Sequence, residues 1–392
     1  MKKVNALLGL FVAGALLWSC SSESNVYKMG TLEGRVFNAD GSRTLGAIKV
    51  QIDLNGDVFL TTTDANGNFT LDAPVGTHDL VIYSGSGRIF RSVSTITIEE
   101  GKTTDVPMEN TKLNQVANLA YIPGAYDKIE SIIIDSLGYS ATQLSIADLD
   151  NLSYMQTFNA IFLNCGKPGY LDSAKYANLS AYAYAGGSIY ASDYAVEYLT
   201  GDGYYMQTPP VYTAHSHSSI ENPDKSCVGD VGGFISDNDL CTEKIGSTGM
   251  VSNVSIIDIA LQNLLNKTTI DIDYDLGGWE VIQLLSSNWQ ILLQDNTYGY
   301  GPLAARLYYI NPATYYQSGG WVTICHIPPG NPNNPQTITV SVNALQAHLD
   351  HGDFIGPCQQ DGNILFTTFH NHHQGNISHD VYDVLEYFIL NL

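Results

Sequence analysis

Ser192 and His370 are the residues whose setting most suggests covalent chemistry. The first stands in Gly186-Gly-Ser-Ile-Tyr-Ala-Ser-Asp-Tyr-Ala-Val-Glu-Tyr-Leu199, which reads as a short apolar strand turning sharply into a helix with Ser192 at the bend. A hydroxyl raised on such a bend is how many hydrolases present a nucleophile. The second closes Asn363-Ile-Leu-Phe-Thr-Thr-Phe-His370, a strand ending in a possible base. In an open α/β sheet the carboxyl ends of the strands share one edge, where ligands bind, so the two residues can meet.

Two other groups could hold a ligand. His326, His348 and His351 lie in one segment bounded by Cys325 and Cys358. Neutral imidazoles in that number suit zinc or copper, although the spacing matches no standard zinc finger. A Cys325/Cys358 disulfide stapling the segment is the competing reading and is compatible with a metal. Around the bend Tyr190, Tyr194 and Tyr198 offer flat apolar faces with polar tips, suited to a glycan or a peptide; packing in a core is the plainer reading. Tyr194 and Tyr198 are four apart, so a regular helix would put them on one face.

These residues need a scaffold, and composition bounds it. The chain has 392 residues, 44% of them hydrophobic, which suits two domains with sizeable cores. Its formal net charge of −22 repels phosphate backbones, so nucleic acid is excluded as a partner. Six cysteines are present. Cys227/Cys241 and Cys325/Cys358 each close a compact loop, as expected of disulfides in an oxidising compartment, and Cys165 is left as a buried thiol.

Residues 1–19 read as a secretion signal: Lys2 and Lys3, an apolar run from Ala6 to Leu17, then Leu17-Trp18-Ser19-Cys20. The run is too short to span a bilayer. The cysteine at its end resembles a lipobox, which implies acylation of Cys20 and anchoring in the outer membrane. Residues 20–28 are a polar tether, and the acidic residue soon after Cys20 suggests surface exposure.

Residues 29–112 read as all-β, with short strands between Asp40-Gly41, Asn55-Gly56 and Asn66-Gly67 turns. Thr63-Asp-Ala-Asn-Gly-Asn-Phe69 followed by Pro74-Val-Gly-Thr-His-Asp-Leu80 resembles the carboxypeptidase regulatory-like, transthyretin-like β-sandwich. The resemblance implies a non-catalytic module. Asp64, Asn66 and Asn68 lack the terminal bidentate acid of a calcium loop and read as a tight turn.

Residues 113–392 alternate strands with helices, predicting a flavodoxin-like, doubly wound and mostly parallel sheet with insertions at about 201–252 and 320–361. A helix is predicted at Val254 to Leu265. Ala160-Ile-Phe-Leu-Asn-Cys-Gly166, the bend at Ser192 and Phe366-Thr-Thr-Phe-His-Asn371 fall in the order of the class I glutamine amidotransferase-like fold, which this part of the chain resembles. The resemblance implies a nucleophile at Ser192, where the family has cysteine, and a base at His370. His372 occupies the place of the family's acid, and tyrosines stand where glycines usually flank the bend. Asp193 and Asp380 are alternative acids that spacing does not single out. The reading is therefore a lipid-anchored envelope protein whose amidotransferase-like domain is degenerate and serves binding or assembly. A serine hydrolase or amidase using Ser192 and His370 is the first alternative, and a metal-binding surface protein the second.

Overall fold

The structure, a computed structural model, describes residues 27–55, 57–166, 171–201, 233–309, 315–326, 336–349, 353–356, 362–371 and 379–392. It is rich in β-structure, with several sheets and some helices. Seven strands come first: β1 (Met29–Arg35), β2 (Lys49–Leu54), β3 (Asp57–Thr62), β4 (Asn68–Pro74), β5 (Gly76–Tyr83), β6 (Arg91–Ile98) and β7 (Thr103–Asp105). They form a three-stranded sheet in the order β4-β1-β7 and a four-stranded sheet in the order β3-β2-β5-β6. Alternation along β1 and β2 buries Leu32, Val50 and Ile52 in one core. The Asp64 carboxylate accepts hydrogen bonds from the amides of Asn66 and Asn68 and from the Asn68 side chain, closing the tight turn before β4.

The remaining strands are β8 (Leu119–Ile122), β9 (Thr142–Gln143), β10 (Ala160–Leu163), β11 (Ser188–Ser192), β12 (Leu240–Lys244), β13 (Gly249–Ile256), β14 (Thr269–Tyr274) and β15 (Glu280–Leu285). They continue with β16 (Trp289–Asp295), β17 (Gly301–Tyr308), β18 (Tyr316–Gln317), β19 (Trp321–His326), β20 (Gln336–Ser341), β21 (Phe354–Ile355) and β22 (Asn363–Thr367). Nine of them make one sheet in the order β14-β13-β16-β17-β22-β11-β10-β8-β9. The sheet is mixed rather than mostly parallel. β9, β8, β10, β11 and β22 pair in parallel, while β17, β16, β13 and β14 extend it with antiparallel pairings.

The central parallel strands β10, β11 and β22 are buried on both faces, as continuous burial of a strand requires, whereas β9 is an exposed edge. Successive side chains enter different cores: Ala160 and Phe162, Tyr190 and Leu365 face one, and Ile161, Leu163, Ile189, Ala191, Ile364 and Phe366 face the other. The first core also takes in the seven-stranded segment and the closing helix His379–Leu390; the second holds the helix Ser173–Tyr184. β12 and β15 form a separate two-stranded sheet, and β18 to β21 another small one. No helix among the described residues is long and apolar enough to cross a membrane.

The helix expected at Val254 to Leu265 begins later. β13 runs through Ile256, and the helix spans Ile259–Leu265 with Asp258 capping its first turn. The register of β13 shifts between Val251 and Val254, with Asn253 at φ 60°. That bulge keeps Val251, Val254 and Ile256 all on the buried side by breaking the two-residue alternation between Val251 and Val254.

Candidate functional site at the sheet edge

Four parallel strands end together, and the strand ends and the loops that follow them build the site. β8 leads to Asp127, β10 to Asn164 and Cys165, β11 to Ser192 and Asp193, and β22 to His370 and Asn371. Register holds the ends level: Leu163 pairs with Ile122 and with Ala191, and Ser192 with Thr367. The loops then bond to one another. Tyr126 N donates to Cys165 O at 3.2 Å, and Lys128 N to Asn371 O at 3.1 Å.

The bend falls at Asp193, one residue later than expected. Asp193 takes φ 46° and opens a 3-10 turn, Asp193–Val196, that passes into Glu197–Thr200. Aspartate tolerates this left-handed region better than most residues, a signal the sequence already carried. Ser192 itself is the last residue of β11, with no exposed surface. Its hydroxyl donates to Asp127 Oδ2 at 2.5 Å and accepts from the amide of Cys165 at 3.0 Å. Asp127 Oδ1 in turn accepts from the Asn371 amide at 3.1 Å.

Two acids flank His370, with Asp193 on the Nδ1 side and Asp275 on the Nε2 side. Asp193 Oδ2 lies 3.7 Å from His370 Nδ1, while Nε2 lies 3.8 Å from Asp275 Oδ1. Asp193 also accepts from Glu280 N at 2.8 Å and from the thiol of Cys165 at 3.4 Å. Asp380, the other candidate acid, is engaged with Lys267 at 2.6 Å. His372 lies outside the described residues.

Burial dominates the electrostatics. Asp127 and Asp193 are each pushed up to about 7 by desolvation, against the hydrogen bond from Ser192 in the first case and from Glu280 N in the second. Desolvation also pushes the Cys165 thiol well above its ordinary value, and the carboxyls of Asp193 and Asp127 reinforce this. A thiol so placed stays protonated and is a poor nucleophile. The donor atoms of Cys165, Asp193 and His370 lie within 4.8 Å of one another, so the trio has a metal-like composition, yet all three residues are buried. Asp127 and the Cys165 contact are parts of the site that the sequence reading missed; nothing in the spacing marks Asp127.

Among the described residues, Tyr190 and Tyr198 do not line an open groove. Tyr190 and Tyr198 are fully buried, and Tyr190 bonds Thr367 Oγ1 at 3.0 Å. A 3-10 turn winds three residues per turn, so the four-residue spacing no longer aligns Tyr194 with Tyr198. Tyr194 instead helps roof the edge: its hydroxyl donates to Gly278 O at 3.1 Å, its ring meets Tyr126, and Lys244 Nζ sits 4.3 Å over it.

His326 and His348 come together, at Asp353, while His351 lies outside the described residues. Cys165 is a buried free thiol. Cys241 and Cys325 are buried too; their expected partners Cys227 and Cys358, and the acylation site Cys20, lie outside the described residues.

No family model and no curated protein matches this chain. Among solved structures it is similar to the Bacillus anthracis TIE protein, at 16% identity and a TM-score of 0.19, covering 25% of this chain and 19% of that one. So slight a likeness bears on neither fold nor function.

Proposed function

We propose that the chain is a lipid-anchored cell-envelope protein with a binding or assembly role, in which the amidotransferase-like site has become a structural keystone. The observation that carries this reading is the sealing of the edge: Ser192, Asp193 and Cys165 have no exposed surface and His370 retains 3%. Ser192 spends its proton on Asp127, and the thiol is held protonated, so neither is poised to attack a substrate. The two-sheet arrangement of the first seven strands supports the transthyretin-like sandwich for residues 29–112. The parallel strands, in chain order, stand in the sheet as 2-1-3-4-5, which supports a flavodoxin-like core. Acylation at Cys20, outer-membrane attachment and the disulfides Cys227/Cys241 and Cys325/Cys358 belong to the same proposal. A glycan or peptide remains the ligand class proposed, bound away from Tyr190 and Tyr198.

The second reading, a serine hydrolase or amidase, is favoured by the strained backbone at Asp193 with His370 beside it. A fluorophosphonate probe separates the two. The binding reading expects no labelling of the native chain. Stoichiometric labelling that disappears in Ser192→Ala would establish the hydrolase.

A further inference from the structure

The small sheet of β18 to β21 carries a cluster that the sheet edge does not use. β19 ends at His326, and β21 begins one residue after Asp353. Their register pairs Cys325 with Phe354, so His326 and Asp353 come opposite each other one step along. The helix Leu345–Leu349 brings His348 to the same place, and the Asp353 amide donates to His348 O at 3.1 Å. The result is convergent: His326 Nδ1 and His348 Nδ1 lie 2.8 and 2.7 Å from one oxygen, Asp353 Oδ2. The two rings meet edge to face at 5.5 Å. The carboxylate has no exposed side-chain surface, whereas the imidazoles keep 25% and 21%.

We propose that His326, His348 and Asp353 form a site for a divalent late first-row metal, with zinc as the best match. Two neutral imidazoles and one carboxylate are a known zinc donor set that leaves a fourth position open, and the exposed ring edges provide a way in. With bonds of about 2.0–2.2 Å, tetrahedral zinc holds its ligand atoms about 3.3 Å apart. The observed separations are those of hydrogen bonds, so an opening of about half an ångström seats the ion. Without the ion, each neutral ring donates Nδ1–H to Asp353. To bind through Nδ1 it shifts to the tautomer with its proton on Nε2, so the ring takes the ion with no net loss of a proton. The setting also calls for a staple: among the residues of this sheet whose burial is described, Val322, Ile324 and Cys325 are the buried apolar ones. A core that small gains much from a bound ion.

The test uses the detergent-solubilised full chain, stripped with chelator and titrated with zinc and, separately, with cobalt(II). One equivalent of zinc is expected to bind. Affinity should fall by about 100-fold or more in His326→Ala, at least the loss seen when an outer-shell partner is removed. His348→Gln keeps an N–H donor for Asp353 and so preserves the packing; it should lose the metal while retaining the parent circular dichroism. The cobalt complex should lack a thiolate charge-transfer band. Failure to take up zinc, or equal uptake by His326→Ala and His348→Gln, would overturn the proposal. A thiolate band would do the same, because it would put a cysteine among the ligands.

Discussion

At the scale of single residues, the sheet edge is governed by the cost of burying acids. Asp127 and Asp193 rise from an ordinary 3.8 to about 7, so the folded chain holds their protons more tightly than the unfolded chain does. Their contribution to stability is complete below the ordinary carboxyl value and is lost as pH rises through about 7. The urea midpoint should therefore fall from about pH 4 to about pH 7 and level off above it. The net charge of −22 acts in the same direction, so the diagnostic result is a flatter profile in Asp127→Asn. Ser192→Ala should cost about 1–3 kcal/mol in urea denaturation, because it leaves Asp127 Oδ2 and the Cys165 amide short of a bond while buried. A catalytic serine with no structural part would show little loss of stability.

At the scale of elements, the loops beyond the strands pack backbone against backbone. A Cβ on Gly124 would lie 2.0 Å from Cys165 O, and neither chain segment can easily yield. Gly124→Ala should destabilise by about 1–3 kcal/mol or more, whereas Gly277→Ala, which meets only Thr248 Oγ1 at 3.4 Å, should stay within about 0.5 kcal/mol. Thermal melts of the two variants check this. The parallel strands β10, β11 and β22 were legible because burial on both faces demands uninterrupted apolar runs. β13 was not, because its bulge breaks the two-residue alternation between Val251 and Val254. Ile129, Ile132 and Ile133 are buried along a short α-turn followed by the π-turn Ile132–Ser136. The site was half legible. Ser192 and His370 come to one edge as topology requires, while the pairings with Asp127 and Asp193 depend on loop geometry that spacing does not encode. Asp353 likewise owes its place to the pairing of β21 with β19, which spacing does not encode.

At the scale of the whole molecule, one core runs from the seven-stranded segment through one face of the large sheet to the closing helix. Arg43 ties these parts together: it forms an ion pair with Glu386 at 2.8 Å, approaches Asp383 at 3.7 Å and lies over the Tyr382 ring. Burial pushes Glu386 up to about 7, opposed by Arg43. Arg43→Ala should cost about 3 kcal/mol at pH 8 and less at pH 5, where Glu386 can take up a proton instead of remaining a buried charge. A continuous core also implies cooperative unfolding, with tryptophan fluorescence from Trp279 and Trp289 coincident with backbone circular dichroism. The most direct test of a sealed sheet edge is the reactivity of Cys165, the buried thiol at its centre, followed with a thiol reagent in a Cys20→Ser chain. Cys165 is expected to react only as fast as the protein unfolds globally, with urea accelerating both together. Prompt reaction under native conditions would mean that the edge is open to solvent and would contradict a keystone role.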